Sequence, residues 1–460
     1  MKKTVAIAGA GGYIGRWFIH TFKSKYNIVA LSRNEVKSNP YPEVEWRQVE
    51  LYSITSTINA LKGVDYAIYL IHSMSASTRL NQGSFEDTDL LLADNFARAS
   101  AANGIEQILY LGGILPKEED ESSISPHLKS RFEVERTLAS KGTPVTALRA
   151  GIIVGPGGSS FEMIRNLVNK LPALMCPKWT LSQTQAISLR DTLNIMDHCL
   201  GNAELYNRPI EIGAPEILTY KAMMEKTAAV MGKKRVIFSV PFFSIGFSKL
   251  WVSYFGKTPQ KLVSPLVESL KHTLTISDEL AFKSKDLDYL TYEESVKIAL
   301  EGGGTFPKLP KFKVEKRVAN TVRSIQRLPN TRHQSALWVA NRYKVWLPTF
   351  FRLLIYAKEN ELDDLGFYLI GISRPMLQLT WIPDRSDVKR QLFYITGGWL
   401  VKRFDYGWLE FREVLGGKYM ISAIHEFVPR LPWFIYILTQ AKLHLWVMNN
   451  FRKYLEKYRE

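Results

Sequence analysis

The sequence predicts an α/β protein in which a doubly wound parallel sheet is followed by a smaller α+β domain. Three observations predict this fold. A short apolar strand near the start turns through glycines into a helix, and strands then alternate with helices through about the first 300 residues. The remaining residues change to short aromatic-rich strands that end in a long amphipathic helix.

The opening stretch, MKKTVAIAGAGGYIGRWFIHTF, fits either an export signal or a strand, turn and helix. A signal peptide needs an apolar core of about 7–15 residues, and here glycines interrupt the run after Ala10. Gly9, Gly12 and Gly15 have the spacing GxxGxxG between a predicted strand and a predicted helix. In such βαβ units the glycines let the backbone approach a pyrophosphate at the helix N-terminus. The sequence therefore favours a dinucleotide site over an export signal.

The alternation continues down the chain. The predicted strands are YNIVALSR, VEWRQVEL, VDYAIYLIHSM, EQILYLGG and PVTALRAGIIVGPGG, and the predicted helices are SITSTINALKG, FEDTDLLLADNFARASAANG and SPHLKSRFEVERTLASKG. Asp191, in AISLRDTLNIM, is interpreted as a helix N-cap. Ligands of such sheets bind beyond the carboxyl ends of the strands.

The end of the second strand indicates which dinucleotide binds. An acidic residue there would favour NAD, whereas this sequence has Ser32 and Arg33. A guanidinium can bind the 2′-phosphate, so NADP(H) is favoured, with Arg33 as the phosphate ligand and Ser32 as its partner. The alternative is that Arg33 is an ordinary surface residue and NAD is also accepted. His72 and Ser73 end a later strand, where the backbone is expected to contact the cofactor.

Several motifs in the same order resemble the atypical, extended short-chain dehydrogenases/reductases. They are IAGAGGYIG, YLIHSM, YLGGI, SPHLKSRFEVERTL and LRAGIIVGPGGSSFEMI. More closely they resemble the YbjT-like NAD(P)-binding proteins, whose first domain is related to the NADPH-binding accessory subunit of respiratory complex I. The resemblance implies a Rossmann-like fold, a substrate-side lobe at about 215–300, and cofactor contacts at Gly9, Gly12, Tyr13, Ile14, Gly15, Ser32, Arg33, Ile71, His72, Ser73, Gly112, Gly151 and Ile153.

The catalytic positions depart from that family. Where the superfamily has Tyr-x-x-x-Lys, this sequence has His127 and Arg131, and glycines 112 and 113 replace the usual serine or threonine. Arginine stays protonated and cannot transfer a proton, so His127 is the available acid. Two functions stay open: an NADP(H)-dependent oxidoreductase acting on a carbonyl or quinone-like apolar substrate, and a non-catalytic NADPH-binding scaffold or sensor at a membrane complex or lipid surface.

The C-terminal part is predicted as a separate domain. GGGTFPKLPK is a hinge pattern, Gly416-Gly417 indicates a hairpin turn, and one long helix is expected from about Pro432. A sheet followed by such a helix is typical of a helix-grip, START-like domain, which often encloses an apolar ligand such as a quinone or lipid. This stretch also resembles the second domain of the YbjT-like proteins. The predicted boundaries are 1–301, a connector at 302–346, and 347–460.

Charge and composition limit the partners. Of a net charge of +16, most lies in residues 301–460, which contain 26 basic and 14 acidic residues. The basic connector at 302–346 suits a phospholipid surface or an acidic partner, or is a solvated linker. Nucleic acid is not expected, because no reader motif accompanies the charge. The two cysteines have no metal-ligand spacing, so no metal is expected, and the chain is expected in the cytoplasm, with a peripheral position at the inner membrane face as an alternative.

The longest apolar stretch considered as a membrane span is VIFSVPFFSIGFSKLWVSYF at 236–255. Proline, glycine, lysine and serines interrupt it, so it is interpreted as a buried or interfacial segment rather than a membrane span. Its aromatic residues either line a ligand cleft or belong to the core.

Overall fold

The fold was analysed in a computed structural model. The structure describes residues 1–72, 80–116, 124–240, 267–284, 287–302, 306–313, 321–352, 354–359, 364–403 and 407–458. By internal contacts the chain forms two compact units. Unit 1 comprises 1–75 and 95–314, and unit 2 comprises 76–94 and 315–460.

The described strands are numbered in chain order. They are β1 (Thr4–Ala8), β2 (Asn27–Ser32), β3 (Val36–Ser38), β4 (Glu45–Gln48), β5 (Tyr66–Tyr69), β6 (Leu80–Gln82), β7 (Gln107–Gly113), β8 (Val145–Ala150), β9 (Ile153–Val154), β10 (Ala173–Pro177), β11 (Gln183–Thr184), β12 (Ile187–Ser188), β13 (Arg208–Ile212), β14 (Leu218–Thr219), β15 (Val236–Val240), β16 (Lys311–Phe312), β17 (Val322–Pro329), β18 (Ile355–Glu359), β19 (Asp364–Leu369), β20 (Leu377–Trp381), β21 (Arg390–Gly397), β22 (Trp408–Val414) and β23 (Tyr419–Phe427).

The described α-helices are numbered in the same way. They are α1 (Tyr13–Phe22), α2 (Ile54–Ala60), α3 (Phe85–Ala102), α4 (Pro126–Leu138), α5 (Ser159–Lys170), α6 (Leu189–Cys199), α7 (Tyr220–Val230), α8 (Tyr292–Glu301), α9 (Ala336–Phe350), α10 (Trp433–Leu438) and α11 (Gln440–Lys457).

Unit 1 is built on a parallel sheet of seven strands in the order β13-β8-β7-β5-β1-β2-β4. β1 lies between two parallel neighbours, with Val5 opposite Ile28 of β2 and Tyr66 of β5. Apolar residues at most positions of β1, β2, β5 and β7 are buried, as expected for strands covered by helices on both sides. The predicted doubly wound parallel sheet is confirmed.

Beyond this sheet, α5, α7 and α8 pack around a second core that contains Phe161, Tyr220 and Tyr292. The residues from 215 to 300, predicted to be mostly helical, include α7, β15 and α8. The aromatic residues between 242 and 255 lie outside the described residues. The prediction that Asp191 is the N-cap of α6 is wrong. Ser188, three residues earlier, is the N-cap, and its hydroxyl accepts the Asp191 N–H at 2.9 Å.

Unit 2 is built on an eight-stranded sheet in the order β18-β19-β20-β21-β22-β23-β17-β6. Neighbours are antiparallel except β17 and β6, which pair in parallel. Helices α9 and α11 contact the sheet and share an apolar core with it. β17 and α9 lie in residues that the sequence assigned to a connector. The helix-grip classification and the link to complex I stay predictions.

Two local features of unit 2 compare directly with the sequence. Gly416 and Gly417 have φ of 65° and 84° and join β22 to β23, so the predicted hairpin turn is confirmed. The prediction of a single C-terminal helix is wrong, because Thr439 (φ −119°, ψ −84°) separates α10 from α11. The Thr439 hydroxyl donates to the Ile435 carbonyl at 2.6 Å, a bond that competes with regular helix geometry.

A buried charge network lies within unit 2. The Arg412 guanidinium donates hydrogen bonds to Asp94 at 2.9 Å and to Glu410 at 2.8 Å. Glu410 also accepts a hydrogen bond from Arg390 at 2.8 Å. His425 lies 3.1 Å from the second Glu410 oxygen. Burial alone would raise the pKa of Glu410, but Arg412 and Arg390 outweigh it and hold that pKa well below its ordinary value. Burial lowers the pKa of His425.

Replacing Arg412 with Met is expected to lower the free energy of unfolding by about 3–5 kcal/mol, because Glu410 and Asp94 then stay buried without their shared cation. Arg332→Met, at an exposed position of the same unit, is the matched control and should change it by less than about 0.5 kcal/mol. Urea unfolding followed by circular dichroism measures both. Equal stabilities would show that the network contributes little.

Candidate active site

The glycine-rich turn after β1 brings the start of α1 close to the sheet. Gly9 has φ +94°, a conformation that favours glycine, and its carbonyl accepts the Gly12 N–H at 2.8 Å. A β-carbon at Gly15 would lie 2.5 Å from the Gly9 carbonyl oxygen, and one at Gly12 would lie 3.1 Å from it. Any larger side chain at Gly15 would therefore push α1 away from β1.

The N-terminus of α1 suits an anion. Its N-cap is Gly12, no side chain among the described residues caps it, and its first turn carries no acidic residue. The N–H groups of this turn are thus available to a phosphate, which the helix dipole also favours. Tyr13 lies against Gly155 and Gly158, where burial raises the pKa of its hydroxyl above the usual range. Ile14 packs on the core of unit 1.

At the end of β2 the structure leaves Arg33 exposed. The Ser32 hydroxyl accepts the Asn34 N–H at 3.2 Å, and Gln48 donates to the Arg33 carbonyl at 3.3 Å. These bonds fix the turn that follows β2 and leave the guanidinium of Arg33 in solvent. Ser32 therefore holds the turn rather than the guanidinium.

The ends of β5 and β7 are joined by Arg131. Its guanidinium donates to the Ile71 carbonyl at 3.4 Å and to the Leu111 carbonyl, and it lies 5.0 Å from the centre of the Tyr110 ring. The Tyr110 hydroxyl in turn donates to the Arg131 carbonyl at 3.0 Å. The predicted catalytic arginine is thus held by backbone oxygens of two neighbouring strand ends.

The imidazole rings of His127 and His72 lie close to each other. Their ring centres are 5.1 Å apart. His127 lies in the first turn of α4, which begins with a Ser125 cap and Pro126. Ser73 lies outside the described residues.

The other predicted contacts are positioned by packing. A β-carbon at Gly112 would lie 2.8 Å from the Tyr110 ring, and one at Gly151 would lie 2.6 Å from the Gln185 carbonyl oxygen. Ile153 pairs with Ile187 where β9 meets β12. All three follow or end strands whose carboxyl ends share one edge of the sheet.

An apolar pocket of about 160 Å³ opens beyond the ends of β7 and β8. His127 lines it together with Gly113 and Gly151. The rest of the lining is mostly large apolar side chains from α5, α7 and the loops around them, among them Met163, Ile164, Leu167, Trp179, Tyr220, Met224 and Leu274. These residues carry no local sequence pattern that separates them from ordinary core residues.

A segment at 306–313 borders the glycine-rich turn from the other side. Phe306 lies against Gly157 and under the Arg16 guanidinium, 5.5 Å away, and Leu309 faces Gly11. Farther on, Phe312 lies opposite Val36 where β16 pairs with β3. The sequence assigned this segment to the basic connector, yet it belongs to unit 1.

Comparison with known proteins shows the family of this chain. A model of the NmrA-like family matches residues 1–296. The chain belongs to the NmrA-like family. Its auxiliary protein GraX relative from Staphylococcus aureus is 30% identical over 148 residues, which cover 32% of this chain and 43% of that protein. The chain therefore matches less than half the length of this curated relative.

The NmrA-like region also resembles solved structures. A nucleoside-diphosphate-sugar epimerase from Staphylococcus aureus aligns with a TM-score of 0.50 and 14% identity, over 65% of this chain and 100% of that one. The NADPH-dependent quinone oxidoreductase from Escherichia coli aligns with a TM-score of 0.49 and 18% identity, over 64% and 98%. At such identities the epimerase alignment indicates a shared fold only.

The described residues contain no group of three or more histidine, cysteine, aspartate or glutamate side chains placed to bind a metal ion. Cys176 and Cys199 are buried and unoxidised, and burial raises the pKa of both thiols. In the same residues, every helix is too short or too polar to cross a bilayer.

Within the NmrA-like region, Gly15→Ala is expected to lower the free energy of unfolding by more than about 1 kcal/mol, because its methyl group would meet the Gly9 carbonyl. Gly11→Ala is the matched control in the same turn, since its methyl group would have only Leu309, at 4.0 Å, within reach. Thermal unfolding compares the two variants with the parent. Equal losses would contradict the close approach of α1 to β1.

Proposed function

We propose that this protein is an NADP(H)-dependent reductase of a small apolar carbonyl or quinone-like compound. The observation that carries the proposal is the position of His127. It lines an apolar pocket at the carboxyl ends of β7 and β8, on the same edge of the parallel sheet as the glycine-rich turn after β1. A dinucleotide that starts at one of these positions can reach the other along this edge.

The glycine-rich turn fits a dinucleotide. The close approach at Gly15 and the uncapped start of α1 leave backbone N–H groups for the pyrophosphate. Arg33, exposed after β2, would hold the 2′-phosphate, and the backbone at Ile71 and Gly112 would border the nicotinamide half. When bound, NADPH supplies a hydride to the substrate.

The pocket indicates the substrate's size and character. Apolar cavities of roughly 150 Å³ accept a molecule about as large as benzene. A single-ring carbonyl or quinone-like compound would fill this pocket and exclude water from it. The imidazole of His127 would donate a proton to the carbonyl oxygen as negative charge develops there. Arg131 acts as a positioning residue, because it fixes the strand ends between which His127 and His72 lie.

Arg33→Ala is expected to weaken NADPH binding by about 10–100-fold and to leave NADH binding within about threefold, because only NADPH has the 2′-phosphate. Lys37→Ala, at an exposed position four residues later, is the matched control. Isothermal titration of both cofactors gives the ratio. An equal loss for NADH and NADPH would contradict the role assigned to Arg33.

His127→Gln is expected to reduce kcat by about 10²–10⁴-fold, because the variant has no titratable acid at that position. The NADPH dissociation constant should stay within about threefold, since the nucleotide contacts lie elsewhere. NADPH oxidation is followed at saturating cofactor against a panel of quinones and aromatic carbonyls. His20→Gln, at an exposed position of α1, is the control. Unchanged turnover in His127→Gln would exclude this histidine as the acid.

The alternative is a non-catalytic NADPH-binding scaffold or sensor. The engagement of Arg131 by two backbone carbonyls favours it, because two of the five N–H donors of that guanidinium bind the protein backbone instead of a substrate. Tight NADPH binding and a higher unfolding temperature with NADPH, without turnover of any compound in the panel, would support this alternative.

A further inference from the structure

Unit 2 exposes a set of large apolar side chains near the break between α10 and α11. They are Phe434 (68% exposed), Leu438 (64%), Leu443 (50%), Trp446 (50%), Leu354 (63%) and Ile370 (60%), and together they form the apolar patch. Single exposed apolar residues are common on proteins. A contiguous group usually marks a binding surface.

The members of the patch are neighbours along the chain or through backbone hydrogen bonds. Phe434 and Leu438 lie four residues apart on α10, and Leu443 and Trp446 lie three apart on α11. The break at Thr439 joins the two pairs, since the Leu443 N–H donates to the Thr439 carbonyl at 2.9 Å. The outward pair on α10 is thus followed directly by the outward pair on α11.

Aromatic stacking and backbone bonds extend the patch to the edge of the sheet. The Trp446 ring centre lies 4.9 Å from Phe350 and 6.2 Å from Phe351. The Leu354 N–H donates to the Phe351 carbonyl at 3.1 Å, and the Ile370 N–H donates to the Leu354 carbonyl at 3.0 Å. One continuous path of neighbours therefore runs from α11 to the start of β18.

The charge around the patch is mostly positive. The stretches 316–358, 365–383 and 427–455, which supply all its members, contain fourteen lysines and arginines and no aspartate or glutamate. Three of these cations, Arg323, Arg327 and Lys344, pair with carboxylates outside the stretches, and Arg452 pairs with Glu456 at the end of α11. Exposed cations follow patch residues in the chain or share their helix, namely Arg352, Arg374, Lys442 and Lys453. The acidic end of the β18–β19 hairpin is at the opposite end, since Glu359 pairs with Leu365 while Ile355 pairs with Leu369.

This combination fits one partner better than the others. A second copy of the chain would bring the same cations face to face, which like-charge repulsion opposes. Aromatic and aliphatic side chains surrounded by cations are typical of surfaces that enter the headgroup region of a bilayer containing anionic lipids. We propose that the apolar patch inserts into the headgroup region of such a bilayer, with Arg352, Arg374, Lys442 and Lys453 near the lipid phosphates.

The proposed surface differs from the basic connector that the sequence suggested. Within 302–346, Arg323 forms an ion pair with Glu426, Arg327 bonds to Asp87 at 2.7 Å, and Lys344 pairs with Glu359. These cations are neutralised inside unit 2 and offer little charge to a lipid surface. The proposed membrane surface on α10, α11 and the neighbouring edge of the sheet does not use these three cations.

Vesicle flotation with the full chain tests the proposal. The protein should float with phosphatidylcholine vesicles that contain about one quarter phosphatidylglycerol, and not with pure phosphatidylcholine. Raising the salt from about 50 mM to about 500 mM should reduce the floated fraction, because screening weakens the attraction. Phe434→Ser/Leu438→Ser should reduce binding by about tenfold or more at low salt, and so should Lys442→Glu/Lys453→Glu.

Val388→Ser, which changes another exposed apolar residue of unit 2, is the control and should float like the parent. Circular dichroism melts establish that each variant is folded. Absence of flotation at low salt would overturn the proposal, as would equal binding to neutral vesicles. Sedimentation that shows a dimer lost in Phe434→Ser/Leu438→Ser would assign the patch to a second copy and also overturn it. NADPH titration of the same variants should be unchanged, which separates this outcome from a failure of the reductase proposal.

Discussion

The parallel pairing of β1 with both β2 and β5 is the constraint on which the candidate site depends. Because β1, β2, β5, β7 and β8 all run in one direction, the turns that follow them meet at one edge of the sheet. Residues as distant in the chain as Gly9 and Gly151 are brought to that edge by backbone hydrogen bonds alone. The side chains then add chemistry to a position that the sheet has already determined.

Arg131 is held by the backbone at a position where the sequence predicted a catalytic residue. A lysine ammonium is compact, whereas the planar guanidinium of Arg131 binds two carbonyl oxygens on separate strands and lies over the Tyr110 ring. Its charge is thereby used to hold the ends of β5 and β7 together. His127 lies in a pocket lining that is mostly apolar.

The two faces of the unit 2 sheet differ: one packs in the apolar core and the other carries the buried ionic network. Along β22, Leu409 and Phe411 belong to the apolar core with α9 and α11, while Glu410 and Arg412 alternate with them and join the buried ionic network. Asp94 comes from α3, far away in the chain, and balances Arg412. A buried arginine needs such a partner, so the early segment 80–94 is required for the later sheet to be stable.

The sequence by itself determined the parallel sheet, the glycine-rich turn and the hairpin at Gly416-Gly417, because each follows from local periodicity or from glycine's conformational freedom. It also predicted a cofactor role for Arg33 from its position after β2, and a catalytic role for His127 from the family resemblance. Only the tertiary structure decided that β6 joins the late sheet, that segment 306–313 borders the turn, that Arg131 holds backbone carbonyls, and that Met163, Trp179 and Tyr220 line one pocket. These depend on contacts between residues far apart in the chain, which local patterns do not encode. The break at Thr439 was missed for another reason: the apolar pattern continues through it, and only the backbone conformation of Thr439 (φ −119°, ψ −84°) separates α10 from α11.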